Sequence, residues 1–144
     1  MLHYAYLKKD IKKSLENALQ TTPYIPLTCL KGFNIISTAL IVGEIGDIQR
    51  FSNYRKFASY CGFGIVERKS GTSVNKSSHI NKRGNSILRS TFYTLTLTQL
   101  NCKTQIYDYY HKPKSKVKHP KKCLVACARK LAVRTYFEMM KCHG

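Results

Sequence analysis

Residues 67–90, ERKSGTSVNKSSHINKRGNSILRS, intersperse small hydroxyl side chains and glycines with cations. A serine hydroxyl can attack phosphorus when its proton is removed and nearby cations stabilise the charge that develops on the phosphoryl oxygens. The same composition also suits a loop that only binds phosphate, or a solvated tether. The residues of this stretch leave these three possibilities open.

The charge of the whole chain indicates polyanionic partners. The 144 residues carry 25 lysines and arginines against 7 aspartates and glutamates, a formal net charge of +18. Such a chain repels itself unless it meets polyanions, so we expect nucleic acid to be the principal partner. No membrane partner is expected, because the chain has no tryptophan and no apolar run near the roughly 20 residues that span a bilayer. We therefore expect a soluble intracellular protein.

A helical arm is predicted at the start of the chain. Apolar residues fall at spacings of three and four, a stripe too narrow for a globular core, and they are Tyr4, Leu7, Ile11, Leu15 and Ala18. Such an arm docks on a partner helix or forms a short coiled coil, so we expect a homo-oligomer through it. The prolines in residues 21–26 end the helix. We place an arm and linker at 1–24 and one compact domain at 25–144.

A turn near the start of this domain is a candidate phosphate contact. Gly32 and Asn34 are residue types that tolerate positive φ, and an apolar run follows over residues 35–45. This order predicts a helix-hairpin-helix, in which backbone amides of the turn bind phosphate without reading base sequence. A buried helix after a glycine turn is the alternative.

The remaining pattern predicts a mainly α fold: a compact helical domain with one short extended or β segment that leads into the serine-rich stretch. Ser52 and Gly62 are the expected caps of one helix, and Asn85 is the expected start of the next. Residues 93–100, YTLTLTQL, alternate as a strand does, but they continue a capped helical pattern. We expect an extended segment over 63–69, an exposed basic loop over 107–122 and a last helix over 121–141, with Lys130 and Arg134 forming a basic ridge on it.

Six cysteines are scattered without the paired spacing of a zinc ribbon or a disulfide framework, so we expect reduced thiols. His119, Cys123 and Cys127 have helical spacing and could offer three metal ligands. The alternative is that these cysteines act as small apolar side chains. We expect no metal site in this chain, because its seven carboxylates are dispersed.

Several motifs, taken in order, resemble the C-terminal domain of insertion-sequence transposases of the IS110/IS116/IS902 group. The matching motifs are the Gly32 turn, EIGD at 44–47 followed by Arg50 and Phe51, FASYCG at 57–62, SG at 70–71, and KRGN at 82–85 followed by Leu88 and Arg89. The resemblance spans about residues 25–140.

The resemblance implies a DNA recombinase of a mobile element, acting in the prokaryotic cytoplasm at the nucleoid. It implies that Ser70 is the nucleophile and forms a covalent link to DNA phosphate. It further implies an RNA encoded by the element as a second partner, and Mg²⁺ held by an acidic, resolvase-like N-terminal domain. The cations and turn residues expected to contact DNA or its phosphates, with the glycine beside the nucleophile, are Gly32, Asn34, Arg68, Lys69, Gly71, Lys76, Lys82, Arg83 and Arg89.

Two functions of different class follow. Because this chain carries no acidic cluster, we expect a truncated transposase that lacks the resolvase-like domain and is inactive alone. In the first interpretation it is a recombinase domain that uses Ser70. In the second it is a basic DNA- or RNA-binding module, or a decayed remnant, that does not cut.

Overall fold

The computed structural model describes residues 2–64, 83–111 and 120–144, and the regular structure in these residues is helical. The α-helices are α1 (Leu2–Gln20), α2 (Ile35–Ile45), α3 (Tyr54–Tyr60), α4 (Ser86–Asn101), α5 (Gln105–His111) and α6 (Pro120–Cys142), with short 3-10 helices at Ile25–Cys29 and Ile48–Arg50. The expectation of a mainly α fold is confirmed. Most of the extended segment expected over 63–69 lies outside the described residues. None of the helices described is long and apolar enough to cross a membrane.

The core forms around α6, which packs against α3, α4 and α5. Its buried side chains recur at spacings of three and four, as an amphipathic helix requires; they include Cys127, Leu131, Thr135 and Met139. Leu124, expected on the same face, is only half-buried. The last helix expected over 121–141 is confirmed with one further residue at each end.

The alternating residues of YTLTLTQL are helical because they belong to a longer apolar stripe. Leu88 and Phe92 are fully buried, and Leu95 and Gln99 continue their face at 3% exposure each. Leu97, which a strand would place on the same side as Leu95, is 42% exposed. A stripe of period 3.6 over the whole of α4 therefore decides the structure of its second half.

Three helices begin with an asparagine whose side-chain oxygen accepts a backbone N–H from the first turn: Asn34 at 2.8 Å, Asn53 at 2.9 Å and Asn85 at 3.0 Å. The start expected at Asn85 is confirmed. The cap expected at Ser52 is wrong by one residue. Asn34 does not use positive φ, since its φ is −136°, whereas Gly32 turns the chain with a φ of +86°.

The basic loop expected over 107–122 is wrong at both ends, since its last residues, 120–122, begin α6. Residues 107–111 belong to α5, because Ile106 is 2% exposed and Tyr109 and Tyr110 pack against the core. Packing of the apolar face of α5 against the core therefore outweighs the loop-like composition of these residues. Residues 112–119 lie outside the described residues.

The helix expected in the arm is confirmed as α1, and its two ends differ in burial. Leu19 is 3% exposed, whereas Tyr4 and Ile11 are 66% and 60% exposed. Beyond the helix, the buried Tyr24 hydroxyl accepts the Ile48 backbone N–H at 3.1 Å and lies 2.5 Å from Nε2 of His143. These contacts tie the linker after the arm to the C-terminal end of α6.

A backbone contact joins the end of α3 to the start of α4. Gly62, with a φ of +80°, donates its N–H to the Ser59 carbonyl and Phe63 donates to the Ala58 carbonyl, a Schellman ending that confirms the expected Gly62 cap. A Cβ added to Gly84 would lie 2.2 Å from the Gly62 nitrogen and 2.4 Å from its Cα. Gly84 is therefore required by close approach of two backbones.

We predict that Gly84→Ala destabilises the fold by about 1–3 kcal/mol or more, because the new methyl group overlaps backbone that cannot move aside cheaply. The matched control is Gly43→Ala in α2, where an added Cβ meets nothing within 4 Å. This variant should raise the free energy of unfolding by about 0.5–1 kcal/mol, because alanine loses less backbone entropy than glycine when a helix forms. Urea unfolding followed by far-UV circular dichroism measures both. Equal stabilities of the two variants would contradict the contact.

Candidate functional site

The predicted site residues divide into two groups. Those outside the described residues are Arg68, Lys69, Ser70, Gly71, Lys76 and Lys82. Those that the structure describes are Gly32, Asn34, Arg83 and Arg89.

The junction between α3 and α4 brings together the two ends of the segment that carries Ser70. Gly64 precedes this segment and Arg83 follows it. Besides the contact of Gly84 with Gly62, the Asn85 N–H donates to the Tyr60 carbonyl at 2.7 Å. Residues 65–82 therefore leave and re-enter the described structure at one place, and that place is held by backbone contacts.

Glu44, at the end of α2, holds the junction from the opposite side. The Asn85 Nδ2 donates to the Glu44 carboxylate at 2.5 Å, and the Tyr60 hydroxyl donates to the Glu44 backbone carbonyl at 3.2 Å. The Arg50 guanidinium lies 4.7 Å from the ring centres of both Phe51 and Tyr60, within the range of a cation–π contact. Motifs that lie far apart in the sequence thus form one cluster.

Sequence reasoning missed Glu44 and Asn85 as positioning residues. Asn85 was expected only to cap α4, but its side chain does two things at once, since Oδ1 accepts the Leu88 N–H and Nδ2 donates to Glu44. The available signal was a carboxylate inside a matched motif of a chain with only seven of them. A rare acid in a basic chain is a candidate for a specific partner.

A shallow cavity of about 300 Å³ lies beside the junction. Its lining includes Lys56, Ser59, Tyr60 and Arg83. Two cations and a serine are groups that bind phosphate oxygens in nucleic-acid complexes. The described end of the Ser70 segment, at Arg83, therefore opens onto a surface suited to a phosphate.

Arg89 occupies the other side of the junction. A Cβ added to Gly62 would lie 2.5 Å from the Arg89 Nη1, so the guanidinium rests against the end of α3. Arg89 also lines a cavity of about 410 Å³ with Phe63, Tyr93 and Val125. The structure thus brings Arg83 and Arg89 to one junction, where Arg89 packs against backbone and Arg83 is exposed.

Gly32 and Asn34 lie far from this junction. A Cβ on Gly32 would meet the Gln99 Nε2 at 2.8 Å, and Gln99 is thirteen residues beyond Ser86 in α4, about 20 Å along the helix axis. Asn34 and Ser37 also form a reciprocal capping box that uses both of their backbone N–H groups. The hairpin contact to phosphate stays a prediction, and it concerns a surface separate from that of Arg83.

The candidate metal ligands are not assembled in the described residues. Cys123 and Cys127 are buried, and His119 lies outside the described residues. Burial raises the pKa of the Cys127 thiol to about 11 and that of the Cys61 thiol to about 12. A metal ligand is a thiolate, so this environment fits the interpretation of Cys127 as a small apolar side chain. Within the described ranges, no three histidine, cysteine or carboxylate side chains come together as a metal site.

Comparison with known proteins gives two matches. A family model described as the transposase IS116/IS110/IS902 family matches residues 26–111. A Streptomyces coelicolor protein, named "Insertion element IS110 uncharacterized 43.6 kDa protein", is 23% identical over 135 residues, which cover 93% of this chain and 33% of the relative. The chain therefore spans about a third of the length of this relative.

We predict that Asn85→Asp destabilises the protein by roughly 1–3 kcal/mol at neutral pH. The variant keeps an oxygen to cap α4, but it replaces the donor to Glu44 with a second carboxylate. Adding Glu44→Gln supplies a new amide donor and should recover most of the loss. Urea unfolding of the four proteins forms a double-mutant cycle. A stable Asn85→Asp, or no recovery in the double variant, would show that the pair does not hold the junction.

Proposed function

The chain belongs to the IS116/IS110/IS902 family of transposases, and from that premise we propose that it binds DNA and carries the serine, Ser70, that attacks a DNA phosphate during transposition. In this step the Ser70 hydroxyl oxygen forms a bond to phosphorus and the bond to the leaving DNA oxygen breaks. The serine proton is lost, and the leaving oxygen takes up a proton. The resulting serine–DNA phosphodiester conserves the energy of the broken linkage for rejoining.

The junction of α3 and α4 is the observation that carries the proposal. It holds both ends of the Ser70 segment beside an exposed surface with two cations, Lys56 and Arg83. Positive groups aimed at phosphoryl oxygens stabilise the charge of the transition state. The proposed roles are therefore phosphate binding for Lys56 and Arg83, and positioning of the junction for Glu44 and Asn85. Lys82 is a further proposed phosphate ligand on sequence grounds.

Magnesium does not fit the described residues, because these residues bring together no group of three potential ligands. No step is assigned to a metal in this chain. For a full-length transposase of this family, we propose an acidic domain that binds Mg²⁺ and, as a separate partner, an RNA encoded by the element. This chain spans about a third of the length of its IS110 relative.

We predict a serine–DNA adduct that depends on Ser70. The chain is mixed with the remaining portion of a full-length relative, Mg²⁺, and DNA and RNA of the element; the protein is then digested and examined by mass spectrometry. Ser70→Ala should abolish the adduct, because the hydroxyl is the attacking group. The matched controls Ser73→Ala, Ser77→Ala and Ser78→Ala should retain it.

Binding of the chain to DNA, measured between about 50 and 300 mM salt, tests the electrostatic contacts separately from the covalent chemistry. This binding should be unchanged in Ser70→Ala. Arg83→Gln should weaken binding and lower the salt slope by about 1. A flat salt response would exclude the phosphate contacts. An adduct that survives Ser70→Ala would refute the assignment, and a mixture that never reacts while the full-length relative does would favour the non-catalytic basic module.

The exposed face of α1 supports self-association as a further proposal. Tyr4, Leu7 and Ile11, which share one face of α1, are 45–66% exposed, which is unusual for apolar side chains that repeat along one helix. A second copy of α1 would bury this stripe. We predict that deleting residues 1–17, which spares the buried Leu19, lowers the mass seen by light scattering and leaves the helical content of the remaining chain intact. The same monomer mass before and after deletion would contradict the idea.

A further inference from the structure

A third cavity, of about 230 Å³, lies at the opposite end of α4 from the junction. The turn before α2 supplies Lys31 and Phe33, α4 supplies Gln99, and α6 supplies Leu131 and Arg134. Because Gln99 is about 20 Å along α4 from the junction, this cavity is separate from the surface of Arg83. The function proposed for Ser70 does not use it.

The inner wall of the cavity is rigid. Gln99 is 3% exposed and Leu131 is 1% exposed, so both are fixed by the core. The Gln99 Nε2 donates to the Lys31 carbonyl, which holds the turn against α4. The cavity is thus formed by the fold itself, as ligand sites in proteins usually are.

The chemistry of the walls combines an apolar floor with a cationic rim. Phe33 and Leu131 are apolar, Gln105 adds an exposed carboxamide, and the Lys31 and Arg134 side chains are exposed. None of the lining residues is an aspartate or a glutamate. A flat apolar group with polar edges, attached to an anion, matches all of these features. The volume, below the about 300–1,000 Å³ of drug-sized sites, limits the occupant to one small ring system.

The surface beside the cavity also places a cation next to an aromatic ring. Lys130 lies four residues before Arg134 on α6, and its Nζ is 4.0 Å from the centre of the Tyr109 ring. Cations interleaved with aromatic rings are typical of surfaces that follow a single nucleic-acid strand, since the rings stack on bases and the cations meet phosphates.

We propose that this cavity binds one unpaired nucleotide of a single-stranded nucleic acid, with the base against Phe33 and Leu131 and the phosphate facing Lys31 and Arg134. A base inside a duplex is stacked on both faces and cannot enter a cavity without being unpaired. The site therefore prefers single strands over duplex, in contrast to a basic surface that reads phosphates alone.

The test uses fluorescence anisotropy of the full chain with a labelled ten-nucleotide strand of thymidines, its uridine counterpart, and a duplex hairpin of equal length. The single strands should bind more tightly than the hairpin. Preference for thymidine or for uridine identifies DNA or RNA as the source of the strand, and either supports the proposal. A 2-aminopurine placed in the strand should change its fluorescence on binding, because its base leaves the stack of its neighbours.

Two variants separate the cavity from general charge. Phe33→Leu keeps an apolar side chain but removes the ring, and should weaken single-strand binding about 5- to 150-fold, the value of one base stacked on an aromatic ring. Gln105→Trp, at an exposed position that leaves the core intact, should block the mouth and weaken binding similarly. Arg134→Gln should weaken binding more than the charge-matched control Arg55→Gln, whose side chain is exposed on α3.

The outcomes that would overturn the proposal are distinct. Equal affinity for single strand and hairpin, with no 2-aminopurine response, would show phosphate binding only. Wild-type affinity in both Phe33→Leu and Gln105→Trp would show that the strand binds elsewhere. Thymidine monophosphate should compete with the strand better than inorganic phosphate at equal concentration, and equal competition would exclude a base in the cavity. Ser70→Ala should leave all of these measurements unchanged, so a failed adduct experiment does not affect them.

Discussion

The approach of Gly84 to Gly62 is the contact on which the candidate site depends. Two backbones meet with no side chain between them, which only glycine permits when a Cβ would lie 2.2 Å from a backbone nitrogen. Because the contact lies at both ends of the Ser70 segment, it decides where that segment leaves the fold. The hydrogen bonds of Asn85 to Tyr60 and Glu44 then fix the direction in which α4 begins.

Three of the described carboxylates of this basic protein have specific partners. Glu44 accepts from Asn85, Asp47 accepts the Gln49 backbone N–H at 2.8 Å, and Glu138 pairs with Lys141 at 3.2 Å within α6. The net charge of +18 already counts the seven carboxylates of the chain, so these contacts leave the positive excess in place. The positive potential that remains is what a polyanionic partner meets.

Helix α4 relates the two candidate nucleic-acid surfaces. The junction at its start faces Arg83, and the cavity at its end faces Arg134, with about 20 Å of helix between them. A stacked strand advances 3.4 Å per nucleotide, so this distance corresponds to roughly six nucleotides. The two proposed contacts, phosphates at the junction and an unpaired base in the cavity, are therefore separated by about six stacked nucleotides along α4.

The sequence by itself determined the helical class, the first helix, the start of α4 at Asn85 and the glycine ending of α3, because spacing of apolar residues and capping chemistry act within a few residues. Local sequence patterns predicted the structure less accurately where two neighbouring residues can both cap the same helix, as at Ser52 and Asn53. They were also less accurate where a tertiary contact outweighs the loop-like composition, as in residues 107–111. Only the tertiary structure decided that Glu44 meets Asn85, that Gly32 lies against Gln99, and that Lys31 and Arg134 share a cavity. Each of these pairs is joined by contacts between residues far apart in the chain, and such contacts depend on how whole helices pack, for which periodicity carries no signal.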